Sequence, residues 1–449
     1  MTTDSQDDLR ARLLEIAALR STSTIPAETF LTDFLRVNRS IRGGARGFLG
    51  AVTFALDRQR MRTLLLLGWD GVAMPPAPIG PAEEAIGALY RWLREDLHEE
   101  PREALAKVQR ALEIARPRIP TRIAWPETPP PPVIDAIEAG DRALTDDRAR
   151  AARLSAHPHL LDRWTAQWGA DLAEDFARAA QNPAPLDLRA DDREAVLAVL
   201  AAAGVEAMAT PHAPQGIRLQ RKVALAKVAG LDPASLEIQD EGSQLVSLAL
   251  GLEPGMTVLD ACAGAGGKTL HLAALLAGTG MVVAHDTDAE RMTRMRERRG
   301  WREDSNIRIA TPGTAGEHGP FDAVLIDAPC TGMGRLRREP DVAWRGGSIE
   351  DRLAALAPVQ RECLDVYTAM LRPGGVLVYA TCSPEPEETS AMIDDFLDRH
   401  PGFTTDPLPE LFQRDAFAPL RDHRRHALWL LPSMHGTDGF FIARLRRSE

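Results

Sequence analysis

Apolar residues in the first part of the chain recur at helical spacing. Phe30, Leu31, Phe34 and Leu35 fall on one face of a helix, and Pro26 stands where the first turn of a helix accepts proline. The stretches RWLREDL and VQRALEIA repeat this spacing before residue 116. The pattern predicts an all-helical first region.

A proline-rich passage ends this helical pattern. The sequence PRIPTRIAWPETPPPP holds seven prolines between Pro117 and Pro132. Such a composition is extended and semi-rigid, and it is typical of a linker. We therefore predict a helical domain at residues 1–133 that ends in a linker, followed by a mixed α/β region at 134–230.

From about residue 231, short β-branched runs alternate with helical patterns. The runs are TVLD, MVVAH, NIRIA, FDAVLID and GVLVYAT. Alternation of this kind predicts an α/β fold, in which helices cover both faces of a mostly parallel sheet. The last predicted domain spans residues 231–449.

Composition changes this picture little, but the distribution of charge adds to it. The chain has 449 residues and a net charge of −11, and no apolar run approaches the length of a membrane span. We expect a cytoplasmic protein without a membrane partner. Two basic stretches stand out: Arg36 to Arg62 holds seven arginines against Asp57, and Arg291 to Arg302 holds six against one glutamate. They are either solvated helix faces or contacts to nucleic-acid phosphates.

The chain has four cysteines, and their spacing argues against a metal site. Cys262, Cys330, Cys363 and Cys382 form no C-x-x-C pair and have no histidine at ligand spacing. In a reducing compartment we do not expect disulfides either.

A glycine-rich turn lies between the first strand and helix of the last region, in VLDACAGAGGKTLHL at 258–272. It is not a P-loop, since the required first glycine is Cys262, and it is not a dinucleotide fingerprint, since the third glycine is Thr269. Asp286 follows Gly266 by 20 residues, at the end of the next strand. A carboxylate there can accept hydrogen bonds from the ribose of a nucleoside cofactor. A plain tight turn is the alternative.

Two cysteines end neighbouring strands. FDAVLIDAPCTGMG puts Asp327 and Cys330 at the carboxyl edge of the predicted sheet, and GVLVYATCSPEPEE puts Cys382 on the same edge. We therefore expect these two thiols and one carboxylate to share a crevice. The thiols of Cys262 and Cys363 are interpreted as buried and structural.

Several segments together resemble a known family. DACAGAGGKT, DAPCTGMG, YATCSPEPEE and LPSMHGTDGFFIARL are similar to signatures of the RsmB/Sun (NSUN-type) family of S-adenosylmethionine-dependent RNA cytosine-5 methyltransferases. IQDEGSQL (238–245), RLRREPDVAWR (335–345) and Gln360 stand in the family's order. The resemblance covers about residues 155–449. It implies a Rossmann-like methyltransferase domain, preceded by a small mixed domain and by an all-α NusB-like RNA-binding domain.

The resemblance also implies a cofactor and roles for the crevice residues. Cys382 would add to carbon 6 of cytosine, Asp327 would contact N3, and Cys330 would assist release of the adduct. The attacking thiol would gain help from Lys268 or from the charge of the cofactor. The base would leave its stack to reach the crevice. The residues expected to hold S-adenosylmethionine are Cys262, Ala263, Gly264, Ala265, Gly266, Gly267, Lys268, Asp286 and Asp327.

The chain departs from the family pattern in three places. Ala265 replaces a proline of the first motif, and ATPGTAGEHG carries no acid before Glu317, where relatives contact adenine. In LDLRADD, Arg189 is followed by Ala190 and Asp191 in place of Val-Asn. An adenine contact and an RNA contact are therefore both in question.

The function expected from the sequence is methylation of carbon 5 of a cytosine in RNA, with 16S ribosomal RNA favoured by the front domain. We expect a monomer. The alternatives are a methyltransferase acting on tRNA, one acting on DNA in which Cys330 attacks, and a non-catalytic RNA-binding assembly factor. The sequence leaves open which cytosine is modified, and whether free RNA or an assembled particle is the substrate.

Overall fold

The computed structural model of the chain describes residues 3–23, 25–67, 69, 79–118, 123–144, 146–221, 223–232, 236–297, 306–311, 313–345, 347–422 and 425–449. The chain divides into two compact units. The first is Met1–Asn182 with Arg335–Ser348, and the second is Pro183–Gly334 with Ile349–Glu449. The predicted boundary near residue 133 falls within the first unit, and the one near residue 230 falls within the second.

The first unit is helical, as the spacing of apolar residues predicts. Leu31, Phe34 and Leu35 are buried in its core. The proline-rich passage also contributes, since Ile123 and Val133 join the same core and a helix begins at Pro131, a position that favours proline. The helices are α1 Thr3–Ser21, α2 Ala27–Val37, α3 Gly44–Arg58, α4 Arg60–Leu66, α5 Pro81–Arg91, α6 Pro101–Ala115, α7 Pro131–Ala139, α8 Asp146–Leu154, α9 Pro158–Trp168 and α10 Ala170–Ala180.

The segment Arg335–Ser348 belongs to the first unit because of one buried carboxylate. Asp341 is buried, and its Oδ2 accepts hydrogen bonds from Nη2 of Arg20 at 2.8 Å and from the backbone N–H of Ala27 at 3.0 Å. Nearby, the guanidinium of Arg60 lies 4.8 Å from the ring centroid of Trp344. These contacts fix a part of the chain that the sequence pattern assigns to the last domain.

The second unit contains two sheets. The smaller is antiparallel, in the order β2-β3-β1-β4, and the larger has the order β11-β12-β13-β9-β8-β5-β6-β7 with β10 paired to β13. The strands are β1 Leu186–Ala190, β2 Ala207–Ala209, β3 Gly216–Leu219, β4 Leu236–Ile238, β5 Thr257–Asp260, β6 Met281–Ala284, β7 Ile307–Ile309, β8 Phe321–Asp327, β9 Leu371–Thr381, β10 Phe403–Thr405, β11 Arg421–Asp422, β12 Ala427–Leu430 and β13 Phe440–Arg447. The helices are α11 Arg193–Ala202, α12 Glu241–Leu248, α13 Gly267–Leu275, α14 Ala289–Arg296, α15 Ile349–Thr368, α16 Ser390–Arg399 and α17 Pro432–His435.

The five strands predicted from the sequence are β5 to β9, and they pair in parallel in the order β7-β6-β5-β8-β9. The predicted α/β class is therefore confirmed. Antiparallel β13, β12 and β11 extend the sheet beyond β9. The strand order reverses at β5, which leaves a crevice outside the carboxyl ends of β5 and β8, where ligands of such sheets bind.

Two glycines close the structure behind the crevice. The N–H of Gly334 donates to the carbonyl of Cys382 at 2.9 Å, and the N–H of Gly439 donates to the carbonyl of Gly334 at 2.8 Å. A Cβ atom on Gly334 would lie 2.2 Å from the carbonyl oxygen of Gly439. Only glycine therefore allows the two backbones to approach this closely.

We predict that Gly334→Ala lowers the free energy of unfolding by about 1–3 kcal/mol, because an added methyl must push two backbones apart. The measurement is the melting temperature by circular dichroism. Gly402→Ala is the matched control, since a Cβ there meets no atom within 4 Å. Equal melting temperatures for the two variants would contradict the packing argument.

Candidate active site

The glycine turn has the backbone that its sequence requires. Gly264 and Gly266 have φ of 55° and 86°, in the left-handed region that glycine adopts without strain. A Cβ on Gly266 would also lie 2.5 Å from Cγ of Met295, whereas one on Gly264 would meet nothing within 4 Å. Helix α13 begins directly afterwards, at Gly267. The turn therefore brings open backbone and a helix N-terminus to the crevice.

Asp286 braces this turn. It is buried just beyond the end of β6, where its Oδ2 accepts the N–H of Gly264 at 2.9 Å and its Oδ1 accepts the N–H of Asp288 at 2.8 Å. The carboxylate thus joins the glycine turn to the next strand. It stands at the end of the strand that the sequence assigns to it.

Lys268 and Asp327 form an ion pair across the crevice. Nζ of Lys268, in the first turn of α13, lies 2.6 Å from Oδ2 of Asp327, at the end of β8. The same Nζ lies 5.6 Å from the ring centroid of Phe440. The only ion pair described for the Lys268 ammonium is therefore with Asp327, and no contact with Cys382 accompanies it within the described part of the chain.

A further carboxylate, Asp260, lies beneath this pair. It is fully buried at the end of β5 and accepts a hydrogen bond from Oγ1 of Thr269 at 2.7 Å. Burial raises its pKa to about 7, although the Thr269 bond and the charge of Lys268 oppose the shift. The crevice therefore contains a carboxyl group that titrates near neutral pH.

The two strand-end cysteines meet, as the sequence predicts. Sγ of Cys330 lies 3.4 Å from Sγ of Cys382. The contact with Cys382, together with burial and the charges of Glu388 and Asp327, raises the pKa of Cys330 well above its ordinary value. Cys330 therefore stays protonated at neutral pH, and we assign it as the donor to the sulfur of Cys382.

Glu388 holds the chain around Cys330, a role that sequence reasoning missed. It is fully buried and accepts hydrogen bonds from the N–H of Thr331 at 2.9 Å, from Oγ1 of Thr331 at 2.6 Å and from Nε2 of Gln360 at 3.0 Å. Nε2 of Gln360 also donates to the carbonyl of Pro329 at 2.8 Å. The run of acids after Cys382, PEPEE, was the available signal, because acids rarely follow a buried strand without a partner.

The remaining cysteines agree with the prediction in part. Cys262 and Cys363, interpreted as buried structural thiols, pack against the hydrophobic core but are partly exposed. They are also a pair, with 3.9 Å between their sulfur atoms. The pairing joins the glycine turn to α15, and 101 residues of sequence separation concealed it.

The first basic stretch does not form one surface. Arg60 forms an ion pair with Glu84 at 2.7 Å, and Arg62 forms one with Glu95 at 3.1 Å. Arg58 is partly buried. The exposed members, here called the exposed arginine group, are Arg36, Arg39, Arg42 and Arg46. In the second stretch, residues 298–302 lie outside the described part of the chain.

Arg189, for which an RNA contact was in question, is buried. Its Nη1 donates to Oδ1 of Asp191 at 2.9 Å, and only 5% of its side chain is exposed. Asp191, the departure from the family pattern, is thus its partner. The buried guanidinium of Arg189 is therefore paired with a carboxylate of its own segment.

Neither a metal site nor a membrane-spanning helix is found among the described residues. No group of three or more His, Cys, Asp or Glu side chains in those ranges could hold a metal ion. Across the same ranges, no helix combines the length and apolar character that crossing a membrane requires.

We predict that Glu388→Ala lowers the melting temperature, because three buried donors lose their acceptor at a cost of about 1–3 kcal/mol each. Cys330 should also be alkylated faster by iodoacetamide, since the chain around it loosens and a negative charge that raises its pKa is removed. Glu387→Ala is the control, being the adjacent carboxylate but exposed. If the two variants melt and react alike, Glu388 does not hold the site.

Comparison with known proteins connects this geometry to a family. The family described as "16S rRNA methyltransferase RsmB/F" matches residues 247–446, and the "Methyltr_RsmF/B-like, ferredoxin-like domain" matches 157–226. Ribosomal RNA small subunit methyltransferase B of Pseudomonas putida is 36% identical over 304 residues, which cover 65% of this chain and 66% of that protein. The probable ribosomal RNA small subunit methyltransferase B of Bacillus subtilis is 33% identical over 327 residues, 70% of each chain.

Solved structures share the fold. The crystal structure of PH0851 superposes with a TM-score of 0.73 at 23% identity and covers 98% of both chains. A methyltransferase homolog from Pyrococcus horikoshii superposes with a TM-score of 0.55 at 28% identity, over 68% of this chain and all of that one. The similarity to the Bacillus relative and the family match over residues 247–446, which include the crevice residues, show that this chain belongs to the RsmB/F family of 16S rRNA methyltransferases.

Proposed function

We propose that this methyltransferase transfers the methyl group of S-adenosylmethionine to carbon 5 of a cytosine in ribosomal RNA, through a covalent bond between Cys382 and the base. The observation that carries the proposal is the contact of Cys382 with Cys330 at 3.4 Å, at the strand edge that also holds the Lys268–Asp327 pair. Both thiols are free, so neither is held in a disulfide and both are available for chemistry at the crevice.

The cofactor would occupy the glycine turn. The open space at Gly264, the start of α13 and the carboxylate of Asp286 fit a nucleoside with a charged amino-acid end. Oδ1 of Asp260 is buried and has no hydrogen-bond partner among the described residues, which leaves an acceptor at the floor of the crevice. When bound, the cofactor supplies a methyl group on a positively charged sulfur. Residues 262–268 with Asp286 and Asp327 are the proposed contacts.

The difference between the thiols assigns their roles. Carbon 5 of cytosine is a weak nucleophile, so a thiolate must first add to carbon 6 and make carbon 5 electron-rich. We assign the attack to Cys382, since Cys330 has a raised pKa, stays protonated and donates to the sulfur of Cys382. Addition moves electron density to N3, which must then gain a proton. We assign delivery of that proton to Asp327, with the Lys268 ammonium, 2.6 Å from its Oδ2, as the source.

Release completes the cycle. After methyl transfer, carbon 5 carries both the methyl group and a proton; the proton leaves, the carbon 5–carbon 6 double bond re-forms and the Cys382 thiolate is expelled. We assign Cys330 to this step because its sulfur is within 3.4 Å of the sulfur that leaves. Because Cys330 stays protonated, it can donate its proton to the departing sulfur of Cys382, and the proton from carbon 5 then returns to Cys330.

We predict different outcomes for the two thiols when the protein is incubated with small-subunit rRNA and S-adenosylmethionine. Cys382→Ala should be inactive and form no adduct, because it lacks the nucleophile. Cys330→Ala should attack but release slowly, so that a protein–RNA species survives denaturing electrophoresis. Cys363→Ala serves as the control and should turn over without an adduct. The reverse pattern, an adduct only in Cys382→Ala, would make Cys330 the attacker, as in the DNA type of mechanism.

The proposed RNA contact in the first unit is the exposed arginine group. Arg39, Arg42 and Arg46 make no ion pair within the described ranges, and Arg36 pairs only with its neighbour Asp33 on an exposed face. Arginines not occupied by carboxylates can neutralise phosphates at the least cost in broken contacts. This favours an RNA contact at the end of α2, the loop that follows it and the first turn of α3.

We predict that replacing Arg39, Arg42 and Arg46 together by Ala weakens rRNA binding and flattens its dependence on salt. Three lost phosphate contacts to single-stranded RNA reduce the slope of log K against log salt by about 2. Replacing Arg102, Arg110 and Arg116, also exposed and in the same unit, removes equal charge as a control. Equal slopes in filter-binding titrations would identify the group as a solvated helix face.

A further inference from the structure

The four cysteines of this 449-residue chain form two close pairs. The proposed reaction uses Cys330 and Cys382. It assigns no chemical step to the thiols of Cys262 and Cys363, whose sulfur atoms are 3.9 Å apart. Cys262 comes from the turn after β5, among the proposed cofactor contacts, and Cys363 comes from α15, so the fold joins two elements that are distant in sequence.

The pair of Cys262 and Cys363 lies at the start of the glycine turn, which is the proposed cofactor site. The backbone N–H of Ala263, next to Cys262, donates to the carbonyl of His285 at 2.9 Å, and the N–H of Gly264 donates to Asp286 at 2.9 Å. On the α15 side, the hydroxyl of Tyr367 lies 3.0 Å from Nδ1 of His285. A displacement of Cys262 therefore acts directly on the two hydrogen bonds that shape the turn.

The two thiols have complementary reactivity. The hydrogen bond from Cys262 lowers the pKa of Cys363, whereas its contact with Cys363, together with burial, raises the pKa of Cys262 well above its ordinary value. Cys363 is partly exposed, so a small oxidant can reach it. An accessible cysteine of lowered pKa beside a partner of raised pKa is the arrangement of an oxidisable thiol with its resolving thiol.

We propose that Cys262 and Cys363 are a redox modification site, at which a peroxide forms a reversible disulfide that weakens binding at the proposed cofactor site. The thiolate of Cys363 attacks hydrogen peroxide, which gives a sulfenic acid and hydroxide. The thiol of Cys262 then attacks that sulfur and loses its proton, and water leaves. Two thiols and one peroxide thus become one disulfide and two waters.

Closure changes the turn more than the helix. The sulfur atoms must move from 3.9 Å to about 2.05 Å. Cys363 lies well inside the 20-residue helix α15, which resists displacement through its own hydrogen-bond ladder. Cys262 lies in a turn, so most of the movement falls on the backbone of residues 261–264. The turn then loses the geometry that Asp286 and His285 hold.

The first measurement scores the disulfide itself. The full-length protein is treated with hydrogen peroxide, alkylated and mapped by mass spectrometry without reduction. We expect a cross-link between the peptides that carry Cys262 and Cys363, also in Cys382→Ser, where the other pair cannot close. A cross-link confined to Cys330 and Cys382, or none in Cys382→Ser, would overturn the proposal.

The second measurement tests whether the disulfide weakens cofactor binding, an effect that rests on the proposed function. Calorimetry should show S-adenosylmethionine affinity reduced at least tenfold by peroxide and restored by dithiothreitol, with Cys363→Ser unaffected. Unchanged affinity in the cross-linked protein, or equal sensitivity of Cys363→Ser, would overturn the proposal. A fully reduced protein that does not bind S-adenosylmethionine would contradict the proposed function instead, while the peptide map still decides whether the disulfide forms.

Discussion

The parallel pairing of β8 with β9 is the constraint on which the site depends. Its register sets Asp327 opposite Ala380, so the two chains leave the sheet side by side. Two cysteines 52 residues apart thereby come within 3.4 Å. Glu388 then holds the segment after β8 through hydrogen bonds from uncharged donors. Gly334 holds the segment after β9 by a backbone hydrogen bond to Cys382. Each of these features fails if the two strands slip by one residue, because side chains would change faces.

Among the described residues, the crevice holds more carboxylates than cations. Asp260 and Glu388 are buried without a cation bonded to them among the described residues, while Lys268 is shared with Asp327. The contact with Cys382 and burial raise the pKa of Cys330, and the charges of Glu388 and Asp327 add to the shift. The positive sulfur of the proposed cofactor would oppose this effect once bound. Attack by Cys382 would then be favoured only with the methyl donor in place, which avoids unproductive adducts.

The sequence predicted what depends on local pattern and missed what depends on distant partners. Alternating β-branched runs located the five parallel strands, and their carboxyl edge located the Cys330–Cys382 contact. Asp341 could not be assigned to the first unit, because its partner Arg20 is 321 residues away. Glu388 carried only the weak signal of an acid after a strand. Arg60 counted as surface charge in the sequence, but an ion pair with Glu84 occupies it.

The central claim is that the methyl group goes to carbon 5 of cytosine, and loss of the hydrogen at that carbon tests it most directly. Small-subunit rRNA made with tritium at carbon 5 of cytidine would be incubated with the protein and S-adenosylmethionine carrying a labelled methyl group. The account predicts one tritium released to water for each methyl group transferred, and no release without the cofactor. Methyl transfer without release of tritium would contradict it, because the methyl group would then have gone to another atom.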